Sequence, residues 1–128
     1  MLRKIKWNEL EHAYGVDGEY LLPFGATKQP FPFCGAYCIA RAKTITEDHI
    51  NEPVGQEELF IGISGKGVVK MEGESFEMGK GDIMFIPSNK HHWVENDNDE
   101  DFHFYALWWD SRSVNAFKQE KENEAVNG

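Results

Sequence analysis

From residue 36 onward, short apolar runs alternate with clusters of Gly, Asp, Asn and Lys. Residues 36–43 alternate loosely. Residues 57–64 (EELFIGIS) are apolar in their middle and stop at the turn Gly65-Lys66-Gly67. Residues 67–72 (GVVKME) resume after that turn, which predicts a hairpin. Gly73-Glu74 turns the chain again, residues 75–78 form a short strand, and Gly79-Lys80-Gly81-Asp82 makes the next turn. Residues 82–87 (DIMFIP) read as a buried strand, residues 92–96 as another, and residues 102–109 (FHFYALWW) as the last. Turn signals every ~8–12 residues, with no run at a period of ~3.6, predict an all-β sandwich or barrel.

The two ends differ from this middle. Residues 3–10 suit a short edge strand, with Ile5 and Trp7 facing one way and Leu10 near its end. Residues 11–35 carry Gly15, Gly18, Pro23, Gly25, Pro30, Pro32 and Gly35. Such interruptions break ladders, so this stretch reads as a loop-rich arm. The tail, residues 110–128, is polar; it suits a turn or two of helix around Ala116 and Phe117. It lacks an apolar stripe to dock, which predicts a frayed end. The chain thus divides into an arm (1–35), a barrel (36–109) and a tail (110–128).

Composition adds limits. A length of 128 residues fits one domain, and 41% apolar with 13% aromatic side chains is enough for a core. A net charge of -9 repels phosphate backbones and anionic lipid, so no nucleic acid and no membrane partner is expected. Cys34 and Cys38, four positions apart on extended chain, stand ~13 Å apart at their α-carbons, too far to bridge. Two free thiols suit a reducing compartment. The opening MLRKIKWNEL has no apolar run of a secretory signal, and no stretch is long enough to span a bilayer. A cytoplasmic location follows by elimination. No nucleophile elbow, phosphate loop, dinucleotide fingerprint or zinc-protease helix occurs.

The strongest chemical signal runs from Gly81 to Asn96. A turn glycine precedes an apolar strand; Pro87 ends it; a polar loop follows; and His92 opens the next strand. The spacing of Gly81, Pro87, Asn89, His92 and Asn96 resembles the second sequence motif of the cupin family, with Asn89 in place of a glycine. Asn tolerates the left-handed backbone such a turn needs. Glu58, six residues and Gly65 resemble the second half of the family's first motif, and His49 and Asn51 stand upstream in place of its histidine pair. The resemblance spans roughly residues 36–109. It implies a double-stranded β-helix, a jelly-roll cupin barrel, with the irregular arm outside it.

The resemblance also implies a metal site of His49, Glu58 and His92, with Asn51 at the second histidine position. His91 reads as a surface residue. Strand alternation puts Glu58, Phe60, Gly62 and Ser64 on one face, with Gly62 a gap in the wall that either admits ligand or relieves crowding. Alternation also joins His92 to Val94 and Asn96. Two imidazoles and a carboxylate suit Fe(II), Zn(II), Mn(II) or Ni(II) and leave coordination positions open. His103 shares a face with Tyr105 and Leu107. If that face is the interior, His103 or Tyr105 is a candidate general acid or base; if it is the exterior, His103 is a surface histidine. Phe31, Phe33, Tyr37, Trp93, Trp108 and Trp109 either line the mouth or pack the core. Two functions stay open: a metal-dependent enzyme on a small oxygen-rich organic molecule, and a ligand-binding or sensory domain with a degenerate metal site. A homodimer is expected, with the arm in its interface.

Overall fold

The fold is given by a computed structural model, which describes residues 4–13, 17–22, 32–50 and 55–127. Among the described residues, ten strands form two antiparallel sheets. In the first sheet, β1 (Glu19–Leu21) borders β2 (Cys34–Ala40), then come β10 (Phe102–Trp109), β5 (Glu57–Ser64) and β8 (Ile83–Ile86). In the second sheet the order is β3 (Thr44–Ile45), β9 (His91–Asn96), β6 (Lys66–Met71) and β7 (Glu74–Gly79), and β4 (His49–Ile50) also pairs with β9. From β5 onward the chain crosses repeatedly between the sheets, with β5, β8 and β10 in the first and β6, β7 and β9 in the second, as the jelly-roll reading requires.

The core lies between the inner faces. Phe60, Phe102, Phe104 and Ala106 come from the first sheet, Val69, Met78 and Val94 from the second. Phe102 stacks on Phe104 at 4.9 Å between centroids, and Phe104 meets Phe60 at 4.8 Å. The turns match their chemistry: Asn89 takes φ 62, the left-handed conformation expected of it. Asn96 is buried and structural. Its side-chain amide donates to the carbonyls of Ala40 and Glu100 at 2.8 and 2.9 Å, and its Oδ1 accepts from the Asn98 amide at 3.0 Å. It thereby ties the end of β9 to β2.

The outer face of the first sheet holds a second apolar cluster. Tyr20, Tyr37 and Ile39 are buried there beneath Trp7 and Leu10, and Trp7 stacks on Tyr37 at 4.8 Å. The described parts of the arm therefore close over their own barrel. Of the expected edge strand, residues 4–10 hold no strand; a 3-10 turn at Trp7–Glu9 takes its place. The indole finds its contact on Tyr37 rather than in a ladder.

Two further expectations change. Strand β8 is not buried on both faces: Ile83 and Phe85 are 68% and 53% exposed. It is an edge strand whose outer face the described arm does not cover. The tail is not frayed but a helix, α1 (Ser111–Asn127). Asp110 starts it: its Oδ1 accepts from the Ser113 amide at 3.0 Å while Ser113 Oγ accepts from the Asp110 amide at 3.1 Å. This reciprocal cap satisfies N–H groups at the helix entrance. Among the described residues, no helix is long and apolar enough to cross a membrane.

Candidate functional site

Glu58 and His92 meet inside the barrel from opposite sheets. Glu58 is 7% exposed and His92 4% exposed. His92 Nε2 lies 3.1 Å from Glu58 Oε1, and His92 Nδ1 lies 3.2 Å from the Lys90 carbonyl oxygen. A carbonyl only accepts, so Nδ1 carries a proton and donates to it. That bond orients the ring and aims Nε2 at the carboxylate. Burial pulls the His92 imidazole toward its neutral form. The hydrogen bonds to Glu58 and Lys90, with the charges of Glu58 and Asp48, outweigh burial, and the pKa stands above the ordinary histidine value. Glu58 and His92 thus form a buried acid–base pair whose shared proton a cation can replace. The 3.1 Å separation matches neighbouring donors on a small divalent ion, which stand roughly 3 Å apart when each bond is about 2.1 Å. In donor type and spacing this pair fits part of a metal's ligand set.

The other expected ligands are placed less fully. Strand β4 puts His49 in register opposite His92. Asn51 lies outside the described residues. Among the described residues, no group of three or more His, Cys, Asp and Glu side chains stands together as a metal cluster. His91 is on the outer surface, where its Nδ1 meets Asp48 Oδ1 at 2.9 Å.

His103 and Tyr105 resolve to the other face. Phe102, Phe104 and Ala106 take the interior, so His103 and Tyr105 lie outside with Tyr37. Tyr37 Oη and His103 Nδ1 stand 2.7 Å apart, and Trp7 packs edge-on to the His103 ring. Burial, with the nearby Arg41 charge, holds the His103 pKa below the ordinary value against the pull of Asp101. The sheet itself separates both residues from the Glu58–His92 pair, and neither reaches it.

The register also shows what surrounds the pair. Cys34, Trp108, Glu58 and Ile86 form one row across the first sheet. Against the Cys34–Trp108 part of this row, a hollow of about 420 Å³ is lined by Cys34, Gln56, Trp108 and Asp110, among others. Trp108 was among the candidate mouth aromatics. Gln56 was missed, although it stands two positions before Glu58 and alternation would have found it. Arg112, also on this hollow, had no such signal because the tail offered no fixed structure.

Comparison with known proteins agrees with this architecture. The model of the cupin domain matches residues 41–109, more than half of the chain. The chain belongs to the cupin family. A solved protein from Photorhabdus luminescens is 38% identical, with a TM-score of 0.77, covering 95% of this chain and 98% of that one. A cupin 2 conserved barrel domain protein from Salinispora arenicola is 23% identical, with a TM-score of 0.72 over 94% of this chain and 97% of that one, a likeness of fold. An uncharacterized protein of Methanocaldococcus jannaschii is 33% identical over 55 residues; the match covers 43% of this chain and 41% of that relative's length. The cupin match includes both Glu58 and His92.

Proposed function

We propose that this cupin is a metal-dependent enzyme acting on a small oxygen-rich organic molecule, as a dioxygenase, isomerase, decarboxylase or lyase. The observation that carries the reading is the buried contact of His92 Nε2 with Glu58 Oε1. A charge-bearing pair is costly to bury unless it serves packing or a bound ion. Here it lies between the two sheets, beside Phe60. His92, Glu58 and His49 would hold Fe(II), Zn(II), Mn(II) or Ni(II), with Asn51 at the motif's second histidine position. Such an ion supplies Lewis acidity or activates water or O₂. The chain's own contribution is to fix the His92 tautomer through Lys90 and to shield the pair with Phe60, whose ring packs edge-on to His92 at 6.3 Å.

Asn51, in place of a second histidine, favours the alternative of a binding or sensory domain with little metal chemistry. Metal analysis of protein purified without affinity tag or chelator separates the two. Near-stoichiometric transition metal is expected. An empty site that also fails to take up added Fe(II), Zn(II), Mn(II) or Ni(II) would leave the binding domain as the better reading.

We also propose a homodimer, the commonest closed assembly of soluble chains. The described parts of the arm pack on their own barrel, and Tyr14, Phe24 and Phe31 lie outside the described residues. Sedimentation of the full chain at micromolar concentration is expected to give a dimer; a monomer there would overturn the assembly.

A further inference from the structure

The hollow beside Trp108 lies where β10 passes into α1 and includes Trp109 and Ser113 in its lining. Trp108 is the register partner of Glu58 and also lines the hollow, so one indole borders both places. Its volume, about 420 Å³, lies in the range of small-molecule sites, roughly 300–1,000 Å³. Its walls are mixed: the Trp108 ring and the Cys34 thiol are apolar, and Gln56, Asp110 and Arg112 are polar.

The two charges of the hollow are not equally available. Asp110 is 8% exposed and its carboxylate is engaged. Its Oδ1 accepts from the Ser113 amide at 3.0 Å, and its own amide donates to Ser113 Oγ at 3.1 Å, capping α1. These bonds, led by Ser113, hold its pKa below the ordinary value despite burial, so the group stays ionised and occupied by the fold. Arg112 is different. Its Nη2 stands 3.6 Å from Asp110 Oδ2, beyond hydrogen-bond reach, and the side chain is 73% exposed. Among the described residues no acceptor lies within hydrogen-bond distance of its guanidinium. Asp110 therefore keeps Arg112 beside the hollow without using its planar donors. In a chain of net charge -9, an anion is not drawn to the surface at large. It needs a local cation, and among the described lining residues that is Arg112.

We propose that this hollow is the anion-binding subsite of the Glu58–His92 centre, where Arg112 holds the carboxylate of a small planar organic acid whose flat body lies against Trp108. A guanidinium matches a carboxylate with two parallel N–H donors, and an indole favours a flat unsaturated partner. The assignment narrows the oxygen-rich substrate class to acids, and it rests on the metal-centre reading only for what happens to the bound acid.

Titration calorimetry with benzoate and its uncharged analogue benzamide, on metal-free and metal-loaded protein, tests it. Benzoate is expected to bind both forms at least about tenfold more tightly than benzamide, as a charge-assisted contact implies. Arg112→Gln should remove that preference and leave benzamide binding as it was. Arg112→Lys, which keeps charge but not the fork, should retain only part of it. Equal binding of the two probes, absence of benzoate binding, or benzoate affinity unchanged in Arg112→Gln would overturn the subsite. Binding that appears only with metal and ignores Arg112 would sink the subsite while supporting the metal centre. Arg112-dependent binding in a protein that takes up no metal would uphold the subsite and sink the metal centre.

Discussion

His92→Ala is expected to weaken metal binding by about 100-fold or more, while the barrel still folds. Partners that merely orient a ligand already account for about 10–100-fold when removed, and His92 is proposed as a ligand itself. Its Nε2 stands 3.1 Å from Glu58 Oε1, so the ring supplies half of the converging pair. The substitution removes a side chain from the barrel interior but breaks no strand, because β9 keeps its backbone pairs with β6 and β4. It leaves Glu58 buried without this partner. Glu58→Gln, similar in shape but uncharged, should weaken metal binding too and leave the fold closer to the parent. Equilibrium dialysis against Zn(II), with circular dichroism as the folding control, reads both. Metal affinity unchanged in folded His92→Ala would remove His92 from the site.

Glu58 and His92 were legible because each sits on a strand with one clear inner face. In residues 57–64 the inward set is Glu58, Phe60 and Gly62, and the motif around Pro87 sets the start of β9. Strands β5 and β10 begin and end where the apolar runs do, since turn residues bound them on both sides. Asn89 was legible for the same kind of reason: few side chains other than Gly accept φ 62.

His103 and Tyr105 were not legible, and the cause is physical. Alternation separates two faces but does not name the inner one when both are aromatic. On β10 the inner face has Phe102 and Phe104 and the outer has Tyr105 and Leu107, because the outer face is itself covered by Trp7, Leu10 and Tyr20. Strand β8 misled in the opposite sense. Its unbroken apolar run suggested burial on two sides, yet Ile83 and Phe85 are exposed at a sheet edge. Helix α1 has no strong apolar stripe, so its start depends on the Asp110–Ser113 cap, a local signal the periodicity does not carry.

Gly62 is the position where a single methyl should do most damage to the fold. The expected gap in the barrel wall is filled by backbone. Gly62 N–H donates to the Asp82 carbonyl at 2.8 Å, and the Gly81 amide donates to the Gly62 carbonyl at 2.9 Å. A Cβ on Gly62 would overlap the Gly79 carbonyl, which belongs to that same turn. The turn cannot easily retreat: Asp82 Oδ2 accepts from the Gly79 amide at 2.8 Å, and the Asp82 amide donates back to the Gly79 carbonyl at 3.1 Å. Relief would have to come from β5, shifting Glu58 along with it. Gly62→Ala is therefore expected to destabilise the protein by about 3 kcal/mol or more, at the upper end for overpacking. Gly73→Ala is the control. Gly73 has φ 76 and nothing within 4 Å of an added Cβ, so its cost is the left-handed backbone alone, about 1–2 kcal/mol. Urea unfolding of the two variants compares steric overlap with backbone preference directly. If Gly62→Ala is no less stable than Gly73→Ala, the turn at residues 79–82 yields more readily than its hydrogen bonds imply, and Gly62 is a gap after all.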